Sequence, residues 1–392
     1  MAGMDMPRRP VEKIPSRDFV PAHCPWPDCS EHGPGPRTTR YRFHRHGYYT
    51  RVCAPHRIPR FRCLACKATF SRQTFSTTYY AKRPTLLPLI AAQLQASAAL
   101  RQIGRTLGCT HATVGRALAR LGRHCMLLLA RALAEIRIVR EPVVIDHFGS
   151  FELTQDLPFS VGTAVGHRSW FVYALDPAVH ERSGRITPTQ RERLARRKER
   201  SREGGFQGSF SRLLDVLAEL APIERLHLHT DGHTSYRRAL QEHSAREAFR
   251  HLPVPNPVRG ARGSPPSREA RLRDARMYAS DNLHKLVRHT AKHHTRETIA
   301  FPRRLNAALE RGFVLAIWRD FVKGRSERKP DRRTPAMLLG LAEEPWTWMR
   351  VLGRRLFPSH VSLHPSWVKL YRRDWTTPEL DRNARHRLVH AF

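Results

Sequence analysis

The segment RLHLHTDGH, residues 225–233, carries three histidines and one aspartate at alternate positions: His227, His229, Asp231 and His233. In a β-strand these side chains share one face, because strand side chains alternate between the two faces. The pattern indicates either a histidine-rich zinc site or a strand that ends in one functional aspartate. A second apolar run, PVVID at residues 142–146, also ends in an aspartate, Asp146.

The elements around these two aspartates predict an α/β domain. Three short strands from residue 141 onwards are followed by a helix, the strand of residues 225–231, a second helix and the strand FRHLPV. This order is that of the RNase H-like fold, so we predict a mixed sheet flanked by helices over residues 139–325. Basic insertions are expected near residues 185–206 and 257–276.

The charge of the chain predicts a polyanionic partner. Among 392 residues, 69 are Lys or Arg and 34 are Asp or Glu, a net charge of +35. Nucleic acid is the usual polyanion. No apolar run reaches the roughly 18 residues of a membrane-spanning helix, and the start lacks the apolar core of a signal peptide. We therefore expect a soluble, cytoplasmic protein with no membrane partner.

Four of the seven cysteines form two close pairs, in CPWPDC and in CLAC: Cys24, Cys29, Cys63 and Cys66. A strand-rich stretch separates the pairs, as in a zinc ribbon, and thiolates suit tetrahedral zinc. We predict one structural Zn²⁺ in a ribbon over residues 22–78, preceded by a tail of residues 1–21. Cys53 and His56 are either alternative ligands or part of a loop at the ribbon tip.

A helical module is expected over residues 79–138. Within it, IGRTLGCTHATVGRAL at residues 103–118 fits a helix-turn-helix. Gly104 lies where the two helices approach, Gly108 opens the turn, and Thr110 is the predicted N-cap of the second helix. That helix would present three side chains to a DNA major groove: His111, Thr113 and Arg116.

The two strand-end aspartates can meet at one edge of a mixed sheet. Carboxylates within about 4 Å of a shared centre bind Mg²⁺ or Mn²⁺, and two such ions serve in-line phosphoryl displacement. A third carboxylate would come from a following helix, with Asp281, Glu297 and Glu310 as candidates. Strand-end aspartates are also common turn formers, so their position alone does not establish a site.

The segment DNLHKLVRHTAKHHTRETIAF, residues 281–301, resembles the C-terminal signature of the founding family of bacterial insertion-sequence transposases. In that signature a catalytic Glu lies seven residues before one Arg and fifteen before the Arg of R-K-T-I-x-F. Asp281 precedes Arg288 and Arg296 by these intervals. The resemblance covers roughly residues 22–325 and extends to the order of zinc ribbon, helix-turn-helix and RNase H-like domain.

Two features depart from the family pattern. Asp281 stands where the family has Glu, and Glu297 stands where it has Lys. The insertion after Pro257 also lengthens the interval from Asp231 to Asp281 to fifty residues. The resemblance therefore implies Asp281 as the third catalytic carboxylate, with Glu310 as the fallback.

The resemblance implies a DDE/D-type DNA transposase that acts on the ends of its mobile element in the bacterial cytoplasm, in association with the nucleoid. Asp146 would bridge two Mg²⁺ or Mn²⁺ ions, Asp231 would hold one and Asp281 the other. Water attacks the phosphodiester at the element end, and the freed 3′-OH then attacks target DNA. Double-stranded DNA and further copies of the chain, in a homodimer or larger assembly, are the expected partners. Contacts to the DNA backbone would come from three basic residues: Lys285, Arg288 and Lys292. The alternative is that these residues are only solvated surface.

Two other classes of function remain open at this point. One is a non-catalytic DNA-binding regulator on a degenerate RNase H-like body, which the aspartate at the third position allows. The other is a zinc hydrolase that uses His227 and His229; we instead interpret these as strand residues that pack toward the catalytic face. The histidines of RHTAKHH have helical spacing but lack the glutamate of H-E-x-x-H: His289, His293 and His294. Residues 326–392 are expected to form a basic helical appendage.

Overall fold

The computed structural model describes the following residues: 19–33, 41–182, 184, 186–196, 205–261, 263–295, 298–327, 331–377 and 379–380. The chain divides into two compact units. One comprises residues 1–84, 353–360 and 390–392, and the other residues 85–352 and 361–389. The predicted appendage is thus shared between the two units. The predicted helix-turn-helix and sheet modules lie together in the second.

The first unit contains a three-stranded antiparallel sheet in the order β1-β2-β3: β1 (Phe43–Thr50), β2 (Arg57–Cys63) and β3 (Thr69–Ser71). A 3-10 helix follows at Arg72–Phe75. The small core of the first unit consists of aromatic rings, including Phe61, Phe70 and Tyr41, packed with three of the predicted cysteine ligands. A core of this size rarely supports a fold without an added cross-link such as a metal ion.

The second unit is built on a five-stranded mixed sheet in the order β6-β5-β4-β7-β8: β4 (Val143–Phe151), β5 (Pro158–Gly166), β6 (Val172–Val179), β7 (Leu226–Thr230) and β8 (Phe249–Pro253). The first three strands pair antiparallel, whereas β7 is parallel to both β4 and β8. The predicted α/β class, with a mixed sheet flanked by helices, is confirmed. β5 and β6 are buried almost throughout, as expected for strands covered on both faces.

The α-helices are α1 (Leu86–Gln95), α2 (Leu100–Thr106), α3 (His111–Glu135), α4 (Pro188–Ala195), α5 (Gly205–Ala218), α6 (Thr234–Glu242), α7 (Arg268–Thr290), α8 (Leu305–Ile317), α9 (Pro335–Leu338), α10 (Trp348–Val351) and α11 (Pro365–Arg372). They cover both faces of the sheet. On one face His147 of β4 contacts Ser209 of α5 and Tyr236 of α6. On the other face the preceding residue, Asp146, lies against His284 of α7. In the described part of the chain no helix is long and apolar enough to cross a membrane.

Helix α7 begins earlier than the sequence pattern indicated. The basic insertion expected near residues 257–276 is helical in its second half, because α7 starts at Arg268. Ser267 caps it by accepting a hydrogen bond from the Ala270 N–H at 3.1 Å, and no Gly or Pro follows before the helix ends. The dense arginines of this stretch are good helix formers. The helix ends at Thr290, so Lys292 lies in the 3-10 turn that follows it.

Two sequence predictions fall partly outside the described residues. The basic insertion near residues 185–206 includes the exposed helix α4, but residues 185 and 197–204 are not described. Arg296 and Glu297 of the family signature also lie outside the described residues. The spacing from Asp281 to Arg296 therefore stays a sequence observation.

Candidate functional site

The four predicted zinc ligands meet in the first unit. The Sγ atoms of Cys24 and Cys66 are 3.7 Å apart, as are those of Cys29 and Cys63, and all four lie within 4.8 Å of one another. A tetrahedral Zn²⁺ with Zn–S bonds of about 2.3 Å separates its sulfurs by about 3.8 Å. The two separations of 3.7 Å match this value, so the cluster could bind a structural zinc ion.

The environment of the thiols favours a cation. Burial raises the pKa of Cys24, and the neighbouring thiols raise it further. Burial also acts to raise the pKa of Cys63, but the backbone N–H of Cys66, the Tyr41 hydroxyl and the N–H of Ala65 lower it to about 7. One thiolate is thus available near neutral pH, and a bound Zn²⁺ would offset the cost of the others.

The alternative ligands lie apart from this cluster. Cys53 and His56 belong to the loop between β1 and β2, where the Cys53 thiol faces the carbonyl oxygen of Ala81 at 3.9 Å. The His56 ring is 3.2 Å from the carbonyl oxygen of Arg51. Neither residue belongs to a metal-capable group among the described residues, so the loop interpretation is the one that the structure supports.

The prediction that Asp146 ends its strand is wrong, because β4 continues to Phe151, but the register of the sheet still relates Asp146 to Asp231. Val143 of β4 pairs with Leu228 of β7, and the next residues along each strand pair in turn. Continuing this parallel register places Asp146 opposite Asp231, just beyond the end of β7. Residues in register on neighbouring parallel strands point to the same face. Asp231 also forms the turn that follows, where it accepts a hydrogen bond from the His233 N–H at 3.0 Å.

Helix α7 supplies the third carboxylate, Asp281, to the same face of the sheet. One turn further along, the His284 ring lies with Nδ1 3.6 Å from Oδ2 of Asp146 and Nε2 3.0 Å from the Thr163 hydroxyl. That hydroxyl donates its own proton to the Asp146 carbonyl oxygen, so His284 Nε2 must be the donor to Thr163. His284 therefore turns a lone pair on Nδ1 toward the aspartates, a contact that the sequence did not predict.

The three aspartates act on one another electrostatically. Burial raises the pKa of Asp146, the charges of Asp231 and Asp281 raise it as well, and the resulting pKa is about 7. The backbone N–H of His147 works in the opposite direction. Burial lowers the pKa of His284 to about 3, so its ring is neutral and cannot balance the carboxylates. This cluster of negative charge is one that a divalent cation would stabilise.

An arginine partly balances the cluster. Arg273, two turns before Asp281 on α7, donates two hydrogen bonds to the Asp281 carboxylate and also lowers the pKa of Asp146. In the described part of the chain, the three carboxylates are not among the groups whose ligand atoms all lie within 4.8 Å of one another. The guanidinium group thus supplies a positive charge directly beside Asp281.

The fallback carboxylate lies in a different part of the second unit. Glu310 of α8 is 1% exposed and forms a bidentate ion pair with Arg373, at 2.6 and 2.7 Å. Its side chain packs against Gly122 of α3, where a Cβ atom would come within 2.5 Å of Glu310 Cβ. Glu310 therefore joins α3 and α8 and is engaged away from Asp146.

The histidines that the sequence offered as alternative zinc ligands pack inside the protein or cap a helix. His229 is buried beside His167, and burial lowers its pKa to about 4. His293 and His294 are buried in the 3-10 turn after α7, where His294 contacts the Ser150 hydroxyl at 2.8 Å. Neither His227 with His229 nor the RHTAKHH histidines belong to a metal-capable group of the described residues. His233 caps α6.

The helix that was predicted to follow the turn is present as α3. α2 and α3 are joined by a four-residue turn, Gly108 has φ of +58°, and Thr110 caps α3 through the N–H of Thr113. A Cβ atom at Gly104 would come within 2.6 Å of the Cys109 carbonyl oxygen, so the close approach requires glycine. Of the predicted DNA contacts, those on exposed positions are His111, Arg116 and Lys285, and those on half-buried positions are Thr113, Arg288 and Lys292.

No protein-family model matches the chain, and no curated protein matches it either. The functional assignment therefore rests on the sequence and on the geometry of the two clusters.

Proposed function

We propose that this chain is a DDE/D-type DNA transposase with an RNase H-like catalytic domain. The observation that carries the proposal is that Asp146 of β4 is in register with Asp231, the residue after the parallel strand β7, and that the charges of Asp231 and of Asp281 on α7 both raise the pKa of Asp146. The sheet supports it, since three antiparallel strands are followed by a helix, a strand, a helix and a strand.

The aspartates would hold two Mg²⁺ or Mn²⁺ ions. When bound, such ions polarise the scissile phosphate and lower the energy of the attacking and leaving oxygens. Asp146 would bridge the two ions, Asp231 would hold one and Asp281 the other. Oxygen donors suit these hard cations, and the raised pKa of Asp146 shows how poorly the cluster tolerates its own charge. Arg273 would leave Asp281 when a cation binds and could then contact a DNA phosphate.

The DNA would be contacted by both the helix-turn-helix and the catalytic face. His111 and Arg116 are exposed at the start of α3, where a recognition helix meets base edges. Arg288 acts on the charge state of His284 and so lies near the aspartates, where a phosphate would be bound. The net charge of +35 predicts binding that weakens steeply with salt. We propose double-stranded DNA, as element ends and target, and further copies of this chain as partners in the bacterial cytoplasm.

Strand cleavage provides the test. The substrate is a labelled duplex taken from the DNA that flanks the gene, incubated with Mg²⁺ or Mn²⁺. We expect metal-dependent nicking at one position, reduced at least a hundredfold in Asp146→Asn and in Asp231→Asn. Asp274→Asn is the matched control, because this residue lies on α7 but pairs at the surface with Arg259. All variants should still bind the duplex in a gel-shift assay.

A second candidate is the non-catalytic DNA-binding regulator, and the pairing of Arg273 with Asp281 favours it. This candidate predicts specific binding to flanking DNA without nicking at any concentration of Mg²⁺ or Mn²⁺. Wild-type protein that binds and never nicks would therefore overturn the transposase proposal and leave the regulator.

A further inference from the structure

Three histidines that no sequence motif had singled out converge in the first unit. One nitrogen from each ring of His23, His32 and His360 lies within 4.8 Å of the nitrogens of the other two. His23 is 6% and His32 4% exposed. We propose that these histidines bind a second Zn²⁺, separate from the four-cysteine site. This metal site is independent of the proposed transposase activity.

The hydrogen bonds of the three rings fix which nitrogen can bind a metal. Nδ1 of His23 and Nδ1 of His32 lie 2.9 and 2.7 Å from the carbonyl oxygen of Cys24. Nε2 of His360 lies 2.6 Å from the carbonyl oxygen of His32. A carbonyl oxygen only accepts, so each of these nitrogens carries the proton. The metal-binding lone pairs are therefore on Nε2 of His23, Nε2 of His32 and Nδ1 of His360.

This arrangement is the one that metal-binding histidines adopt. Such a histidine usually donates its second ring N–H to a carbonyl or carboxylate, which fixes the tautomer and the ring orientation. Here all three rings are held in this way by backbone carbonyl groups.

The surroundings strengthen the preference for a cation. The His360 ring centroid is 4.3 Å from those of both His23 and His32. Phe75 and Phe357 pack edge-on against His23 at 5.2 and 5.1 Å. Aromatic walls exclude water and lower the local dielectric constant, so electrostatic interactions inside them are stronger than at the surface.

The donor set suits zinc. Imidazole nitrogens bind Zn²⁺ at about 2.0–2.1 Å, which separates three tetrahedral ligands by about 3.4 Å. Small tilts of the rings would bring the nitrogens from their present spacing to this one. The Ser359 hydroxyl, which donates to Nε2 of His32 at 2.6 Å, would give up this hydrogen bond when zinc binds, and a water molecule would complete the tetrahedron. The two zinc sites would then be linked through the Cys24 carbonyl, which accepts from two of the histidines.

The second zinc would cross-link residues 353–360 to the N-terminal part of the first unit. His360 and His32 are 328 residues apart in sequence. Two further hydrogen bonds come from Arg355 in the segment that carries His360. Its backbone N–H donates to the Phe75 carbonyl oxygen, and its side chain donates to the Thr74 carbonyl oxygen. A metal ligand at His360 would add a stronger cross-link to these hydrogen bonds.

Metal content tests the site directly. The full chain is purified without chelator under reducing conditions, equilibrated with Zn²⁺, desalted and analysed by plasma mass spectrometry. We expect two zinc ions per chain in the wild type and one in His360→Gln. The matched control His56→Gln, in the same unit, should keep two. Asp146→Asn should also keep two, which excludes zinc bound at the aspartates.

Cobalt substitution shows whether the variant stays folded. His360→Gln should retain the intense thiolate-to-cobalt charge-transfer bands of the four-cysteine site and lose only the weaker bands of a nitrogen-ligated ion. Zinc X-ray absorption of the wild type should fit sulfur and nitrogen ligands together. A wild type that holds one zinc ion, bound by sulfur alone, would overturn the proposal whatever the variants do, and so would two zinc ions in His360→Gln.

Discussion

Asp146→Asn should stabilise the metal-free protein, and increasingly so as the pH rises. Burial and two neighbouring carboxylates hold the pKa of Asp146 at about 7, against an ordinary value of 3.8. Between these values the folded state keeps a proton that the unfolded state releases. The stability of the wild type therefore falls as the pH rises from about 4 to about 7 and changes no further through this group above that. Asparagine carries no charge at any of these pH values.

The shift sets the size of the effect. The rise of the Asp146 pKa from 3.8 to about 7 lowers the free energy of unfolding by about 4 kcal/mol at pH 8 and by about 1.7 kcal/mol at pH 5. The gain of the variant over the wild type should therefore grow by about 2.5 kcal/mol between these pH values. In a unit of about 300 residues that growth is about 4 °C in the melting temperature.

Tryptophan fluorescence during thermal or urea unfolding is the suitable assay, because six of the seven tryptophans lie in the second unit. The control is Asp274→Asn, since the pKa of Asp274 is lowered by its hydrogen bond with Arg259 and this carboxylate stays charged across the range. Its effect should not change with pH. Mg²⁺ should then stabilise the wild type and not Asp146→Asn. A difference between Asp146→Asn and wild type that is constant with pH, or destabilisation by Asn at pH 8, would refute the reasoning.

Three further outcomes follow from named contacts. Glu310→Gln breaks a buried ion pair and should cost about 3–5 kcal/mol of unfolding free energy. The Mn²⁺ affinity, measured by electron paramagnetic resonance, should stay unchanged; weakened Mn²⁺ binding would restore Glu310 as a candidate ligand. Arg273→Gln removes a positive charge from the aspartates and should tighten Mn²⁺ binding about tenfold, whereas the exposed Arg259→Gln should not. Gly122→Ala should destabilise the α3–α8 contact by about 1–3 kcal/mol in urea unfolding; Gly115→Ala on the same helix meets no atom within 4 Å and should be neutral or stabilising by up to about 1 kcal/mol.

The sequence predicted best those features that depend on local pattern. The apolar run before Asp146 located β4, although this strand continues past Asp146 to Phe151, and the alternating pattern before Asp231 located β7. The Thr110 cap fixed the start of the predicted recognition helix. The close spacing within each cysteine pair predicted the cluster, because two residues on one short turn lie near each other in any fold. Which strands are neighbours, and in which register, is set by packing across the sheet and has no local signal.

The features that were missed depend on contacts between distant segments. Arg273 lay in a stretch that its Pro and Gly neighbours marked as loop, although the helix had already begun there. His284 could have been found from its spacing of three residues after Asp281, which puts both on one helix face. His23 and His32 flank the first cysteine pair, but nothing in the sequence associates them with His360.

The two faces of β4 explain how Asp146 is held in place. The side chain that follows it, His147, is buried on the opposite face, and burial lowers its pKa to about 3, so it is neutral there. Its Nε2–H donates to Ser209, whose hydroxyl donates to a backbone carbonyl oxygen, and its Nδ1 accepts from the Tyr236 hydroxyl. A Cβ atom at Gly162, the β5 partner of His147, would come within 2.6 Å of that ring. A one-residue shift of the strand would put Asp146 in this network and His147 against α7. The buried network therefore sets on which side of the sheet a cation could bind.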